Sequence, residues 1–244
     1  MKTVSDSDRE RGEISGNPQT GARNLLLDCI GIEPGQDILF VGEDSALGHY
    51  HAGPADVAAA VAAELGANVY QMQTPAIFGP EEFPEPLAGA MQHVDHTVFF
   101  SRIGDQVRFI ETPGRSSATM CYALDMELMG SPFCTVPYTL ITRMADKLKE
   151  KFAGGGEWHV TCPNGTDFRG NLEPKPLSAP DPNAFTVKLF PMGILPPIPA
   201  ATMTGVAASQ WLQSTQNHAY EPVGMVLDEP IFVAIEDGRI TGFS

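Results

Sequence analysis

Residues 37–72 read DILFVGEDSALGHYHAGPADVAAAVAAELGANVYQM and carry the clearest structural signal in the chain. The apolar run that begins them, residues 37–43, is typical of a strand buried within a parallel sheet. A loop follows, and Pro54 is then placed to begin a helix that ends at Gly66. Residues 68–72 predict the next strand. This order predicts a βαβ unit with a right-handed crossover.

The flanking sequence continues this alternation of strands and helices. Residues 22–30 have an amphipathic helical pattern that ends near Gly31. Further elements follow from hydrophobic periodicity: strands at 96–101, 106–110 and 157–162, and helices at 87–91, 117–130 and 138–152. We therefore predict an α/β domain over residues 22–162, built on a doubly wound, mostly parallel sheet.

The two ends of the chain have a different character. Residues 1–21 lack hydrophobic periodicity and are predicted to form a flexible leader. Beyond Pro163 proline and glycine become frequent, and β structure is expected in three short runs, at 185–190, 223–227 and 231–235. Asp237-Gly238 is a strong signal for a hairpin turn that leads into residues 240–243. Residues 163–244 are therefore predicted to form a smaller, mostly β extension.

Composition limits the classes of function. The chain has 30 acidic and 15 basic residues and a net charge of -15, which argues against nucleic acid as a partner. It contains no apolar run near the roughly 18 residues that span a bilayer, and its polar N-terminus does not resemble a signal peptide. We therefore expect a soluble cytoplasmic protein without a membrane partner. Four widely spaced cysteines without a CxxC pair indicate reduced, mostly buried thiols.

Charged residues follow the strand predicted at residues 96–101. Arg102, Asp105 and Arg108 lie close together around Gly104. Either arginine could clamp a substrate carboxylate, because the planar guanidinium fork matches that group. Alternatively, the three side chains form an ion-pair network that stabilises the turn. The sequence leaves both interpretations open.

A second polar segment, CPNGTDFRG at residues 162–170, follows another predicted strand. Asn164-Gly165 predicts a turn, and Thr166 and Asp167 place an alcohol beside an acid. These groups could face a substrate. They could equally hydrogen-bond to the backbone of the loop, as such residues often do. Spacing alone leaves both interpretations open.

The loop at residues 42–53 joins a strand to a helix, where open α/β sheets bind ligands. It lacks the glycine patterns of dinucleotide and P-loop sites. His49 and His51 are spaced like a metal pair, with Asp44 or Asp56 as further ligands. Two histidines do not complete a metal site, however, and a solvated loop is the simpler interpretation.

Four segments together resemble a known family. The chain resembles the thermophilic aminopeptidase T family of leucyl aminopeptidase-like metallopeptidases, and most of all its 2,5-dihydroxypyridine 5,6-dioxygenase-like branch. The segments are ARNLLLDCIGIEPGQDILFVGED (22–44), VFFSRIGDQVRF (98–109), MCYALDMELMGSPF (120–133) and TCPNGTDFRG (161–170). None of them is a catalytic signature.

The resemblance implies a function and a cofactor. In this family an α/β N-terminal part precedes a domain that supplies histidine, glutamate and aspartate ligands to a divalent metal. Peptidase members use paired metals such as zinc or cobalt, and the dioxygenase branch uses ferrous iron. The chain would then be the N-terminal portion of a metal-dependent enzyme acting on a small polar or peptide substrate, with the metal-ligand region missing. No family metal ligand maps onto it.

Only some residues carry over from the family, and they do so as substrate-cleft candidates: Arg102, Asp105, Arg108, Asn164, Gly165, Thr166 and Asp167. An alternative function is a non-catalytic binding or assembly module derived from the same family. In that case the apolar segment at residues 190–199 would face a partner, although a packed strand and turn explains it as well. Peptidase and dioxygenase chemistry remain open, as does assembly, with a homodimer as one option.

Overall fold

The computed structural model describes residues 16–75, 77, 79–112, 114, 116–175, 185–193, 200–213 and 224–244. The chain divides into two compact units. The first, called here the α/β unit, comprises Gly12–Ala145 and Pro182–Ile194. The second, called the β unit, comprises Met1–Arg11, Asp146–Asp181 and Leu195–Ser244. The sequence had suggested a boundary at residue 162.

The described residues form ten strands: β1 (Asp37–Glu43), β2 (Asn68–Thr74), β3 (His96–Phe100), β4 (Ser117–Cys121), β5 (Gly156–Thr161), β6 (Asp167–Leu172), β7 (Lys188–Phe190), β8 (Thr204–Gln213), β9 (Gly224–Glu236) and β10 (Arg239–Phe243). The same residues form seven α-helices: α1 (Pro18–Arg23), α2 (Ala52–Glu64), α3 (Glu85–Met91), α4 (Ile103–Gln106), α5 (Met126–Gly130), α6 (Pro132–Thr135) and α7 (Tyr138–Ala153). A π-helical segment over Asn24–Ile30 continues α1, and short 3-10 segments lie at Ser45–Leu47 and Pro80–Glu82. None of the described helices is both long and apolar enough to cross a bilayer.

The α/β unit is built on a five-stranded sheet in the order β2-β1-β3-β4-β7. All four neighbouring pairs are parallel. The inner strands are almost wholly buried, which explains their unbroken apolar runs, since strands covered on both faces do not alternate. From β1 the chain passes outward to β2 and then returns to β3 on the other side. The order therefore reverses between β1 and β3, and this is where ligand sites form in open α/β sheets.

Helices flank this sheet. Helix α2 packs on β1 and β2, and it also contacts α1 and α5. Its side chains are mostly alanine, and the buried Ala58, Val61 and Ala62 let the helix lie close to the strands. The π-helical segment contributes Asn24, whose Nδ2 donates to the Cys134 and Val136 carbonyls, each at 2.7 Å. Asn24 thereby joins the N-terminal helix to the start of α7.

The β unit contains a separate antiparallel sheet in the order β10-β9-β8-β6-β5. The predicted hairpin between β9 and β10 is confirmed: Asp237 and Gly238 form its turn with φ values of 46° and 71°. On β5, the Trp158 ring meets Phe168 edge-on at 5.8 Å. A Cβ added to Gly170 would lie 2.5 Å from the Trp158 ring, so the glycine makes room for the indole.

The fold class predicted from the sequence is confirmed, because a parallel α/β sheet is accompanied by a mostly β part. Two elements were predicted wrongly. Residues 106–110 are not a strand, since α4 ends at Gln106 and turns follow. Residues 117–130 are not one helix: Ser117–Cys121 is the buried strand β4, and α5 begins only at Met126. A short apolar run does not distinguish a buried strand from a buried helix.

Three further boundaries differ from the prediction. Helix α1 begins at Pro18, within the predicted leader, whose residues 1–15 lie outside the described residues. Strand β7 joins the parallel sheet although its sequence was assigned to the β extension, and β5 belongs to the antiparallel sheet instead of the α/β domain. These differences arise because partners distant in sequence decide which sheet a short strand joins. Of the segment at 190–199, residues 194–199 are not described.

Candidate functional site

A buried ion pair lies where the strand order reverses. Glu43 ends β1, and Arg102 follows β3 at the start of α4. The Arg102 Nε atom donates to Glu43 Oε2 at 3.2 Å, and the Arg102 backbone N donates to the same oxygen at 3.0 Å. The side chains are 1% exposed for Glu43 and 14% for Arg102. The pair therefore joins the carboxyl ends of two neighbouring strands and is largely shielded from solvent.

Asp105 is the centre of a second polar cluster. Its Oδ1 atom accepts from Arg108 Nη1 at 3.0 Å and from the Tyr122 hydroxyl at 2.6 Å. Tyr122 directly follows β4. Burial raises the pKa of Tyr122, and its hydrogen bond to Asp105 raises it further, so the phenol stays a donor. The Arg108 guanidinium also lies over the Phe109 ring at 5.2 Å. This cluster fixes a cation at the same edge of the sheet.

Tyr50 anchors the loop between β1 and α2. The side chain is buried, and its hydroxyl donates to the Cys121 carbonyl at 3.0 Å. Burial raises the pKa of Tyr50 well above its ordinary value, which keeps this donor protonated. The backbone N of His51 donates to the Leu124 carbonyl at 2.9 Å. The loop is therefore held against the end of β4.

A cleft of about 220 Å³ opens beside this edge, between the ends of β1 and β2 and the start of α2. Five polar residues are among those that line it: Glu43, His51, Asp56, Gln71 and Gln73. Phe40, Met72 and Phe100 supply the apolar lining. Glu43 Oε1 is buried and has no hydrogen-bond partner among the described residues. The cleft is partly open to solvent, and its mixture of polar and apolar residues is suited to a small polar ligand.

The structure brings the first group of predicted site residues together, though not as one network. Arg108 and Asp105 form the expected ion pair at 3.0 Å, whereas Arg102 pairs with Glu43. Sequence reasoning missed Glu43 and Tyr122. The signal for Glu43 was available, because an acidic residue ending a buried apolar strand falls at the ligand-binding edge.

The second group of predicted residues lies in the β unit, in the hairpin between β5 and β6. Gly165 has a φ of +101°, and its backbone N donates to the Cys162 carbonyl at 3.1 Å. The Thr166 hydroxyl accepts from the Ala208 backbone N at 3.0 Å. Asp167 Oδ1 lies 2.8 Å from His159 Nε2, and both side chains are largely exposed. Asn164 occupies the turn itself. The hairpin thus presents an exposed acid–imidazole pair.

Asp44 and Asp56, considered as metal ligands, contact other groups. Asp44 accepts from the Ala46 backbone N at 2.9 Å and caps a short helical turn, and Asp56 is 3.5 Å from Gln71 Nε2. His51 lies at the start of α2. In the described parts of the chain, no three histidine, cysteine, aspartate or glutamate side chains are grouped to hold a metal ion.

No family profile matches the chain, and no curated protein is significantly similar to it in sequence. Two solved structures share its fold. The 2,5-dihydroxypyridine dioxygenase from Pseudomonas putida KT2440 is 18% identical, with a TM-score of 0.58 over 93% of this chain and 67% of the dioxygenase. AmpT from Thermus thermophilus is 11% identical, with a TM-score of 0.50 over 93% of this chain and 70% of AmpT. The chain therefore has the fold of these two proteins, which confirms the resemblance predicted from its sequence motifs.

Proposed function

We propose that the chain is the N-terminal portion of a metal-dependent enzyme that acts on a small polar substrate. The observation that carries the proposal is the shared fold: 93% of the chain superposes on a dioxygenase and on an aminopeptidase. About a third of each of those proteins has no counterpart here, since the matches cover 67% and 70% of them. In this proposal the metal ligands lie in that additional region, and the metal that they bind is a divalent ion such as iron, zinc or cobalt.

The carboxyl edge of the parallel sheet supports a role in substrate binding. The Arg102 guanidinium is oriented through its Nε atom by Glu43, and its Nη groups make no hydrogen bond to any described residue. A planar guanidinium held in this way suits a carboxylate or another oxygen-bearing anion. Arg108 adds a second cation, which Asp105 holds. We propose that Arg102, Asp105 and Arg108 orient the polar end of the substrate.

The hairpin of the β unit is a separate candidate for substrate contacts, proposed independently of the α/β unit. Asn164, Gly165, Thr166 and Asp167 follow a strand, and the Asp167 carboxylate is exposed beside His159. In this proposal Asp167 accepts a hydrogen bond from the substrate in the complete enzyme. In this proposal the substrate is a small molecule if the enzyme is a dioxygenase and a peptide if it is an aminopeptidase.

The test begins with the gene and ends with an assay. An open reading frame that continues past Ser244 into a region with histidine, aspartate and glutamate residues is the expected result. The complete protein, loaded separately with ferrous iron, zinc or cobalt, is then assayed for oxygen uptake with 2,5-dihydroxypyridine and for release of the leaving group from aminoacyl anilides. A stop codon directly after Ser244, or a folded complete protein inactive with every metal, would contradict the proposal. Either result would favour the non-catalytic binding module.

A substitution pair separates substrate binding from fold. Arg102→Lys keeps the positive charge but loses the planar fork, so KM should rise by about tenfold or more with little change in kcat. The matched control is Arg23→Lys, because Arg23 forms an exposed ion pair on α1 and lies outside the proposed site. If the two variants had the same KM and kcat, Arg102 would not be part of the substrate site.

A further inference from the structure

The turn of the β5–β6 hairpin contains the only Asn-Gly dipeptide of the sequence, Asn164-Gly165. The Gly165 backbone N donates to the Cys162 carbonyl at 3.1 Å, which closes a β-turn with Pro163 and Asn164 at its centre. The φ of +101° at Gly165 lies in the region that favours glycine. The turn therefore requires that the residue after Asn164 has no side chain, and the backbone N of that residue is left unshielded.

The reaction open to such a pair is cyclisation. The backbone N of Gly165 gives up its proton and attacks Cγ of Asn164, so that a new N–C bond forms, the Cγ–Nδ2 bond breaks and ammonia leaves with that proton. Water then opens the cyclic imide at either of its carbonyl carbons and yields aspartate or isoaspartate. The net change is the uptake of water and the release of ammonia. Because the nucleophile and the amide are neighbours in the chain, the attack is intramolecular.

The structure leaves the Asn164 amide free to react. Asn164 and Gly165 are both exposed, and the Asn164 side chain makes no hydrogen bond to any described residue. Other asparagines are held in place. Asn24 is buried, and its side chain makes three hydrogen bonds. The Asn68 Nδ2 atom donates to the Gly35 carbonyl at 3.2 Å and to an Asp37 carboxylate oxygen at 3.0 Å. Their amides cannot turn toward the following backbone N without losing these bonds.

The two remaining described asparagines lack a suitable nucleophile. Asn17 precedes Pro18, whose backbone N has no proton to lose, and its side chain caps helix α1. Asn171 lies within strand β6 and precedes Leu172, whose side chain crowds the approach to the backbone N. Among the asparagines that the structure describes, only Asn164 therefore combines an exposed, unbonded amide with an unshielded neighbour.

The attack requires only a local opening of the turn. The hydrogen bond from the Gly165 backbone N to the Cys162 carbonyl must be released, and it lies at the exposed end of the hairpin. The bond from the Cys162 backbone N to the Thr166 carbonyl, at 3.0 Å, and the strand pairs beyond it can stay in place. Openings of this kind at exposed turns occur without unfolding of the sheet.

We propose that Asn164 is a site of spontaneous deamidation in the folded protein, with the Gly165 backbone N as the nucleophile. The product carries an additional negative charge in the turn. In its isoaspartyl form the main chain passes through the former side chain and gains a carbon atom, so the turn cannot keep its present hydrogen bond. The hairpin proposed to contact substrate would thus change as the protein ages. The inference requires neither metal nor turnover and is tested separately from the proposed function.

The test is peptide mapping by mass spectrometry after the purified 244-residue chain has been kept folded in heavy-oxygen water at neutral and mildly alkaline pH. Digestion in ordinary water ensures that heavy oxygen marks only conversion during the incubation. We expect Asn164 to convert at least about tenfold faster than Asn68 or Asn171, and faster at the higher pH, where the attacking N loses its proton more readily. Isoaspartyl methyltransferase should label the product. No conversion of Asn164 in the folded protein, or equal conversion of the three asparagines, would overturn the proposal.

Two variants separate the effect of the structure from that of the dipeptide. Asn164→Gln must close a larger ring, so conversion at this position should fall by about tenfold or more. Val69→Gly creates a second Asn-Gly pair on β2, where two hydrogen bonds hold the Asn68 amide, and Asn68 should still convert at least about tenfold more slowly than Asn164. Circular dichroism verifies the fold of each variant. Equal rates at Asn68 and Asn164 in Val69→Gly would refute the role of the turn. If Val69→Gly does not fold, the comparison of Asn164 with Asn171 in the unsubstituted protein decides.

Discussion

At the scale of single residues, Cys162 differs from the other three cysteines. It is exposed, and hydrogen bonds from the Thr166 side chain and from the backbone of the turn lower the pKa of its thiol. Burial instead raises the pKa of Cys29 to about 11, that of Cys134 to about 12, and that of Cys121 well above its ordinary value. Because the thiolate is the reactive form, the four cysteines should react at very different rates.

We predict that a disulfide reagent such as dithionitrobenzoate labels one thiol of the native protein quickly near neutral pH. All four thiols should react after denaturation. Thr166→Val should slow the native reaction, because the thiolate loses the hydroxyl donor. Thr142→Val, on the exposed face of α7, is the control. Rapid labelling of Cys162→Ser at one native site would show that a buried thiol is the reactive one.

His96 should make the stability of the protein depend on pH. Its Nδ1 and Nε2 atoms lie 3.0 Å from Ser117 Oγ and 3.0 Å from Gln36 Oε1 at the start of β3. Burial lowers the pKa of His96 below its ordinary value of 6.5, against the opposing effect of Asp95. The unfolded chain therefore takes up a proton more readily than the folded one. Stability is complete above the unfolded pKa and is lost as pH falls from there toward the folded pKa.

The measurement is urea denaturation of the native protein and of His96→Gln across the weakly acidic range. The free energy of unfolding of the native protein should decrease more steeply with falling pH than that of the variant. His93→Gln serves as the control, since His93 lies just past α3. Parallel pH profiles for the native protein and His96→Gln would show that His96 does not titrate differently in the two states.

At the scale of elements, the Glu43–Arg102 pair connects β1 to the segment after β3. With side chains 1% and 14% exposed, both charges have lost most of their hydration. Removing one partner should therefore leave the other charge buried and uncompensated. The exposed Arg23–Glu64 pair, at 48% and 63% exposure, provides the comparison because water already screens its charges.

We expect Arg102→Met to lower the free energy of unfolding by about 2–4 kcal/mol. This cost is somewhat smaller than if Glu43 lost every partner, because the backbone N–H of residue 102 still donates to Glu43. Adding Glu43→Gln to that variant should restore much of the loss, since the buried charge is then gone. Arg23→Met should cost less than about 1 kcal/mol. Denaturant titrations of the native protein, the single variants Arg102→Met, Glu43→Gln and Arg23→Met, and the double variant give these values. Additive effects of Glu43→Gln and Arg102→Met would mean that the pair is not coupled.

At the scale of the whole molecule, sequence patterns predicted the elements that are formed by residues close together in the chain. The βαβ unit followed from the apolar run of β1 and from Gly66, and the β9–β10 hairpin from Asp237-Gly238. Strand pairing was less predictable. The short apolar segment that forms β4 is equally compatible with a buried helix. Strand β7 joins a sheet whose other strands all lie far earlier in the chain. The Glu43–Arg102 pair joins residues 59 apart. Only the register between β1 and β3 brings them together, and no sequence pattern encodes that register.

The net charge of the whole chain leads to the last prediction. With 30 acidic and 15 basic residues the protein carries a charge of -15 near neutral pH, so its molecules repel one another. Its isoelectric point is about 4.6, where this repulsion vanishes. Solubility should therefore be high at neutral pH and lowest near that value. The solubility at each pH is measured by the turbidity of concentrated samples across the acidic range, and circular dichroism verifies that the fold persists. Succinylation of the lysines, which removes positive charge, should move the minimum to lower pH; a minimum that stays in place would show that unfolding, rather than charge, causes the precipitation.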